Sequence, residues 1–288
     1  MGTHKSEFTP IRKLQKYLRR MRGKSELMAA HEAERYQREL AEICRSKFGL
    51  SLHPFQTSLS MVPPASVVNA VQGRNKADAS TFLGSGYRDM ARYIEELAAN
   101  GHDIARMERM LDFGFGTGRM LLHFLPFSLE RYGCDVNPAA VEWTSKTLGN
   151  FAKLQLSAPV PPLPYEDGFF DLVIASAVFT HIPVSAQPSW VAELNRVLKP
   201  GGCVLATVHD FSKITGRHKK LGCQEKEIDR GLHMNSYVSP EMLQQIWSGP
   251  FEILEVRRFP PRQAHVIARA SSRLPTRREE THATHATF

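Results

Sequence analysis

Residues 111–119 read L-D-F-G-F-G-T-G-R, in which three glycines alternate with other residues. An apolar strand, 110–113, runs into three alternate glycines, Gly114, Gly116 and Gly118, which lead into a helix. Glycine lets the backbone turn sharply, and it lets a ligand approach the backbone without a Cβ in the way. The helix behind the loop presents free N–H groups. The stretch therefore predicts a ligand-binding loop, with a plain strand–helix turn as the alternative.

The loop and the next strand distinguish between two classes of nucleotide ligand. A dinucleotide fingerprint, G-x-G-x-x-G, would place its third glycine at position 119, where Arg119 stands. Asp112, two residues before the first glycine, suits a ligand with a cationic amino group better than a pyrophosphate. Asp135 ends the predicted second strand, 131–135, where a carboxylate can accept both hydrogen bonds of a ribose diol. These residues favour a nucleoside with an amino group over NAD.

The chain beyond residue 107 alternates strands with helices. Strands are predicted at 153–157, 170–176 and 203–208, and helices follow Asn137-Pro138 and span 186–198. This alternation predicts an α/β fold with a parallel sheet and helices on both faces. Two consecutive strands at 252–258 and 264–268 have no helix between them, so we expect an antiparallel pair at one edge of the sheet. Further helices are predicted at 25–47, 87–100 and 239–247.

Positive charge is concentrated at the N terminus. Residues 1–25 hold eight Lys/Arg and one Glu, a net of +7, whereas the whole chain carries +8. Apolar residues recur there at helical spacing, which predicts a basic amphipathic helix that contacts an anionic surface. A helix packed on the body with a solvated basic face is an equal alternative. The body itself lacks the basic excess typical of a nucleic-acid enzyme.

Composition also sets expectations about location and metals. No apolar run approaches the roughly 18 residues of a membrane-spanning helix, and the polar start lacks a signal peptide. The four cysteines form no C-x-x-C pair, so we expect reduced thiols rather than a zinc site. These features predict a cytoplasmic protein with no transmembrane segment and no metal. The sequence predicts no oligomeric state.

Four segments resemble successive motifs of class I S-adenosylmethionine-dependent methyltransferases. They are M-L-D-F-G-F-G-T-G-R-M-L at 110–121, Y-G-C-D-V-N-P at 132–138, F-F-D-L-V-I-A-S-A-V-F-T-H-I at 169–182 and E-L-N-R-V-L-K-P-G-G at 193–202. The closest resemblance is to bacterial small-molecule and glycan methyltransferases. It implies a Rossmann-like, seven-stranded, mostly parallel sheet whose last strand is antiparallel. The expected organisation is a basic helical extension at 1–79, a methyltransferase domain at 80–270 and a disordered tail at 271–288.

The resemblance also implies S-adenosylmethionine as the cofactor, with the loop after the first strand holding its methionine part. Asp112, Gly114 and Gly116 would line that part of the cofactor. Asp135 would bind the ribose. Tyr87, just before the first helix of the fold, resembles a position that covers the cofactor, although a plain surface tyrosine is an equal alternative.

The loops after later strands would complete the cofactor site. The backbone at Leu156 and Ser157, after the third strand, would flank the adenine. Ser176 and Phe179, after the fourth strand, would lie near the transferring methyl group. Arg119, directly after the glycine loop, would also bind the cofactor.

The predicted reaction is methyl transfer to a hydroxyl group of a small polar molecule or sugar, with an amino group as the less favoured acceptor. The donor is already activated, so the protein mainly aligns the acceptor and removes a hydroxyl proton. His181 and His209 follow the fourth and fifth strands, where ligands meet such sheets, and they are the candidate bases. Each histidine has the alternative of simply ordering its loop.

Other acceptor classes are less favoured. Ser176 to Phe179 replace the N/D-P-P-Y/F motif of DNA amino-group methyltransferases, and no cysteine or magnesium-binding carboxylate cluster follows the fourth strand. An RNA- or protein-directed methyltransferase that uses the basic arm remains an alternative, as does a non-catalytic, cofactor-binding partner subunit.

Overall fold

The computed structural model describes residues 26–48, 61–72, 79–228, 233–259 and 263–271 of the 288-residue chain. The strands within these ranges are β1 (Arg109–Phe113), β2 (Glu130–Asp135), β3 (Lys153–Leu156), β4 (Phe170–Ala175), β5 (Leu198–His209), β6 (Cys223–Ile228), β7 (His233–Val238), β8 (Phe251–Phe259) and β9 (Gln263–Ala270). Seven of them form one sheet in the order β3-β2-β1-β4-β5-β9-β8, while β6 and β7 form a separate two-stranded sheet.

The seven-stranded sheet contains both parallel and antiparallel strand pairs, and the antiparallel pairs all involve β9. β2 pairs in parallel with both β1 and β3, and β4 pairs in parallel with β5. β9 runs antiparallel to both of its neighbours, β5 and β8. The predicted seven-stranded fold and the antiparallel pair at one edge are therefore confirmed. The physical reason is the direct connection between β8 and β9, which is too short for a parallel crossover.

Helices occupy most of the connections between these strands. They are α1 (Glu26–Phe48), α2 (Ala65–Gln72), α3 (Ala79–Ala99), α4 (Leu121–Phe124), α5 (Pro138–Leu148), α6 (Gln187–Val197), α7 (His218–Leu221) and α8 (Pro240–Trp247). Two of them begin at caps that the sequence predicted. The Asn137 side chain accepts the N–H of Ala139 at 3.0 Å, and Ser239 Oγ accepts the N–H of Met242 at 3.2 Å. Each such cap stabilises its helix by about 1 kcal/mol.

The chain divides into two compact units, Met1–Pro159 and Val160–Phe288. In the first unit, α1 packs along α3, and the start of α3 contributes Phe82 and Leu83 to an apolar cluster. The other buried members of this cluster come from α4, α5 and the turns after them: Leu121, Leu122, Leu125, Leu148 and Ala152. In the second unit, most residues of the core strands β4, β5 and β9 are buried.

Several elements differ from their sequence-based predictions. α3 begins at Ala79 rather than residue 87, because burial of Phe82 and Leu83 outweighs the low helix propensity of Gly84 and Gly86. β5 begins at Leu198 rather than residue 203 and reaches its regular register through an irregularity opposite β4. The hairpin of β6 and β7 was missed entirely, because its polar strands lack an apolar run.

Some predictions fall where the structure gives no description. The basic arm, residues 1–25, and residues 272–288 of the predicted disordered tail lie outside the described ranges. The predicted domain boundaries at 79/80 and 270/271 stay predictions. Within the described ranges, no helix combines the length and apolar character needed to span a membrane.

Candidate functional site

The glycine loop after β1 adopts a backbone that only glycine accommodates easily. Gly114, Gly116 and Gly118 have φ values of 77°, 55° and 79°, in the left-handed region that a Cβ disfavours. A Cβ on Gly118 would lie 2.8 Å from Leu148 Cδ1, so this glycine is also required for close packing on α5. At Gly116 the nearest atom to such a Cβ would be Val71 Cγ1 at 3.8 Å. Gly116 therefore leaves room beside the backbone that a ligand can use.

Asp135 holds this loop against the end of β2. Its Oδ2 accepts the N–H of Gly116 at 2.8 Å, and its Oδ1 accepts the N–H of Asn137 at 2.8 Å. Burial raises the pKa of this carboxyl, and these backbone donors oppose the rise. Thr144 Oγ1 adds a bond to the Gly116 carbonyl at 3.0 Å. Each carboxylate oxygen keeps a further lone pair, so Asp135 can still accept two hydroxyl groups.

Asp112 is a buried carboxyl with an oxygen that lacks a hydrogen-bond donor among the described residues. Its side chain is 1% exposed, and Oδ2 is the atom without a donor. Burial is the main cause that raises its pKa to about 7; Arg119 lowers the pKa and Asp135 raises it. A buried oxygen of this kind costs free energy unless a ligand supplies a donor. It therefore points to a ligand group that donates hydrogen bonds.

Arg119 and Tyr87 both have protein partners in the first unit. Arg119 Nη1 pairs with Asp89 Oδ2 at 2.6 Å. Tyr87 is buried, and its ring stacks on Tyr36 of α1 with centroids 4.7 Å apart. Burial, followed by the charge of Glu39 and a hydrogen bond to it, raises the pKa of Tyr87. The cofactor contacts of Arg119 and Tyr87 stay predictions.

An exposed apolar surface follows β2 and β3. Ser157 donates its N–H to the Asp135 carbonyl at 2.9 Å, which fixes the chain just after β3. Leu156 is 53% exposed and Val136, directly after Asp135, is 54% exposed. Exposed aliphatic side chains beside a carboxylate suit contact with a flat apolar group. Val136 is not among the residues predicted from the sequence, although an apolar residue directly after the strand-end aspartate was an available signal.

In the second unit, the loop after β4 begins with a strained turn. Ala177 has φ of 60°, and its N–H donates to Thr207 Oγ1 at 2.7 Å. Phe179 is 1% exposed and packs against Trp247 with ring centroids 5.1 Å apart. This burial favours a role for Phe179 in supporting the loop. The predicted positions of Ser176 and Phe179 near a transferring methyl group stay predictions.

The two candidate bases lie close together within the second unit. The rings of His181 and His209 have centroids 6.4 Å apart and are nearly perpendicular. His181 is exposed, and its Nδ1 lies 2.8 Å from the main-chain carbonyl oxygen of Met234. His209 Nε2 lies 3.1 Å from Asn235 Oδ1, and its ring stacks on Tyr237 with centroids 4.5 Å apart. These three partners all belong to β7, an element absent from the sequence prediction.

Asp210, which follows His209 at the end of β5, has a structural partner. Its carboxylate is fully buried and accepts bonds from Arg258 Nε and Nη2, both at 3.0 Å. This guanidinium is the main cause that lowers the pKa of Asp210 to about 2. The ion pair joins β5 to β8, and it makes Asp210 a poor base. Among the described residues, no cluster of three or more His, Cys, Asp or Glu side chains is suited to holding a metal ion.

Comparisons with known proteins agree with the architecture. Residues 111–206 match a family described as "Methyltransferase domain". The chain is 28% identical over 180 residues to malonyl-[acyl-carrier protein] O-methyltransferase of Hahella chejuensis, covering 60% of this chain and 62% of that protein. It is 35% identical over 100 residues to tRNA (carboxymethyluridine(34)-5-O)-methyltransferase of Arabidopsis thaliana, covering 34% of this chain and 23% of that protein. The chain thus spans less than two thirds of the length of the curated relatives it matches.

Two solved structures share the fold. One is 1,6-didemethyltoxoflavin-N1-methyltransferase of Burkholderia thailandensis, solved with 1,6-didemethyltoxoflavin and S-adenosylhomocysteine bound, with a TM-score of 0.52, 16% identity and coverage of 82% of this chain and 90% of that chain. The other is an S-adenosylmethionine-dependent methyltransferase of Clostridium acetobutylicum, with a TM-score of 0.51, 12% identity and coverage of 72% and 97%. At these identities the likeness concerns the fold alone.

Proposed function

Since this chain carries a class I S-adenosylmethionine-dependent methyltransferase domain, we propose that it transfers a methyl group to a hydroxyl group of a small polar molecule or sugar. An amino group is the less favoured acceptor. The oxygen acceptor is supported by the two curated relatives, since both are named as O-methyltransferases. When bound, S-adenosylmethionine supplies an electrophilic methyl group whose former bonding pair stays on sulfur.

The observation that carries this proposal is the pair of carboxyls beside the glycine loop. The buried Asp112 Oδ2, which has no donor among the described residues, suits the cationic amino group of the cofactor. Asp135, held by the N–H groups of Gly116 and Asn137, suits the two ribose hydroxyls. Leu156 and the backbone at Ser157 suit the adenine ring. The residues present in the first unit therefore fit S-adenosylmethionine.

On the acceptor side, the role that we assign to the protein is proton removal. His181 and His209 are the candidate bases, since imidazole is the side chain most often used for general-base catalysis near neutrality. Asp210 is not a candidate, because Arg258 holds the pKa of its carboxyl low. Ser176 and Phe179 are proposed to lie near the methyl group, and Tyr87 and Arg119 near the cofactor.

A second candidate function is methylation of an RNA or a protein. It is favoured by the net +7 of residues 1–25, which would attract an anionic macromolecule. The name of the Arabidopsis relative, a tRNA methyltransferase, also supports it.

We place the protein in the cytoplasm on the basis of its sequence composition. A non-catalytic partner subunit would bind the cofactor and show no turnover.

The test combines cofactor binding with an acceptor screen. Isothermal calorimetry with S-adenosylmethionine and S-adenosylhomocysteine is expected to show one site per chain. Radiolabelled donor is then incubated with hydroxylated and amino-bearing small molecules, sugars, total RNA and protein extract. Label in a hydroxylated small molecule supports the proposal, and label only in RNA or protein supports the second candidate. Absence of cofactor binding contradicts all of these functions.

A further inference from the structure

The hairpin of β6 and β7 holds the loop that carries His181. Ser236 of β7 donates its N–H to the Thr180 carbonyl at 2.9 Å. The Glu225 carboxylate of β6 accepts the N–H of Val184 at 2.7 Å. These two bonds lie on either side of His181 along the chain. The hairpin therefore restrains both the position and the direction of this side chain.

His181 meets the hairpin through one ring nitrogen. Nδ1 lies 2.8 Å from the carbonyl oxygen of Met234. A main-chain carbonyl oxygen can only accept hydrogen bonds, so Nδ1 must be the nitrogen that carries the proton. In a neutral imidazole the other nitrogen then holds a lone pair. The contact consequently fixes the tautomer and makes Nε2 the basic atom of His181.

His209 has a different environment. Its Nε2 faces the side-chain amide of Asn235 at 3.1 Å. An amide group can present either its oxygen or its NH2 group, so this contact does not dictate the tautomer. The ring of His209 also stacks on Tyr237, and its side chain is half-buried, whereas His181 is exposed. Of the two candidate bases, His181 is therefore the one whose basic nitrogen the protein prepares.

We propose that Nε2 of His181 takes the proton of the acceptor hydroxyl, and that the β6–β7 hairpin prepares it through the Met234 carbonyl. This inference rests on the proposed methyl transfer. The O–H bond of the acceptor breaks, and its bonding pair stays on the oxygen that takes up the methyl group. The proton passes to Nε2, which gives an imidazolium with an N–H on each nitrogen, and it is later released to water. Met234 acts through His181 and is a positioning residue, because its carbonyl dipole stabilises the ring charge.

The tautomer can be tested without an acceptor. The full chain is labelled with 15N-histidine, and long-range 1H–15N NMR spectra are recorded at a pH where imidazoles are neutral. His181→Asn assigns the His181 signals, and the exposed His31 of α1 serves as the solvent reference. We expect His181 to carry its proton on Nδ1, with Nε2 unprotonated. A His181 that carries its proton on Nε2, or that shows the same tautomer mixture as His31, would overturn the proposal.

The catalytic part is tested by variants that separate the two ring nitrogens. His181→Asn keeps an N–H donor near the Nδ1 position but has no basic nitrogen. On the acceptor found by the screen, we expect kcat to fall by ~10²–10⁴ while calorimetric affinity for S-adenosylmethionine and thermal stability stay unchanged. The pH profile of kcat should also lose the limb of the wild type that rises with pH. His218→Asn, on α7 of the same unit, is the matched control and should keep wild-type turnover.

The outcomes separate this inference from the proposed function. A His181→Asn variant with turnover within a few-fold of wild type overturns the assignment of the base, even if methyl transfer itself is observed. A wild-type chain that does not bind S-adenosylmethionine overturns the proposed function instead.

Discussion

At the residue scale, Asp135 joins the glycine loop to the proposed ribose site. The Asp135 carboxylate accepts the backbone N–H groups of Gly116 and Asn137. Asp135→Asn removes the charge and places an NH2 group opposite one of these two donors. Loss of charge-assisted bonds worth ~1.5–3 kcal/mol each predicts at least about a tenfold loss of affinity for S-adenosylmethionine. Isothermal calorimetry measures this. Asp103→Asn, which changes a partly exposed aspartate that also accepts a backbone N–H, is the control. Unchanged affinity in Asp135→Asn would refute the ribose assignment.

The buried His123 of α4 is expected to make the free energy of unfolding depend on pH. Burial, with a smaller contribution from Arg119, lowers its pKa from 6.5 to about 4. Below pH 6.5 the unfolded chain binds a proton that the folded chain resists, so stability falls as the pH drops toward 4. The contribution of His123 lowers the free energy of unfolding by roughly 3 kcal/mol over this pH range. Asp112 has the opposite slope, because its raised pKa makes the folded state bind the extra proton between pH 3.8 and about 7.

Because the contributions of His123 and Asp112 oppose each other, the effect of His123 is visible only as a difference between a variant and the wild type. His123→Asn should show a flatter decline in the free energy of unfolding between pH 6.5 and 4, measured by urea denaturation at several pH values. His31→Asn alters an exposed histidine and should follow the wild-type curve. Parallel curves for His123→Asn and wild type would mean that His123 titrates normally.

At the element scale, the Arg258–Asp210 ion pair connects β8 to the residue that follows β5. Arg258→Leu leaves the fully buried Asp210 without its guanidinium. Breaking a fully buried pair costs about 3–5 kcal/mol, and since Arg258 itself is partly exposed we expect a smaller loss than that, but a larger one than for a fully exposed pair. The loss should shrink as the pH falls from about 4 to 2, because the unfolded chain protonates Asp210 over this range whereas the folded wild type keeps the carboxylate charged until about pH 2.

The control lies on the same edge of the sheet. Arg269 of β9 pairs with Glu252 of β8 at 3.3 Å, and both side chains are exposed. Arg269→Leu is therefore expected to cost about 0–1 kcal/mol in urea denaturation. Equal losses in the two variants would show that burial of Asp210 contributes nothing to this junction.

At the scale of the whole molecule, the net charge of +8 is almost entirely the +7 of residues 1–25. Deleting these residues should leave affinity for S-adenosylmethionine unchanged, since the proposed cofactor-binding residues begin at Tyr87. The full chain should sediment with anionic liposomes, and the deleted chain should not. Neutral liposomes and added salt are the controls, because salt screens such attraction. If the intact chain does not sediment with anionic liposomes, the surface-binding interpretation is contradicted.

Features that depend on residues close together in the chain could be predicted from the sequence. The alternate glycines required a left-handed loop, Asn137-Pro138 and Ser239-Pro240 set the starts of two helices, and apolar runs marked the core strands. The short connection between β8 and β9 also excluded a parallel crossover. Each of these signals acts within a few residues, where steric limits and local hydrogen bonds dominate.

Contacts between residues far apart in the chain could not be predicted from the sequence, because they form only when the chain folds. Met234 reaches His181 across 53 residues, and Arg258 reaches Asp210 across 48 residues. The hairpin that supplies Met234 has no apolar alternation, so its strands are stabilised by pairing with each other and by bonds to the β4 loop rather than by local propensity. Residue type and spacing identified His181 as a candidate base. Which of its nitrogens is basic depends on a carbonyl that the folded chain brings to Nδ1.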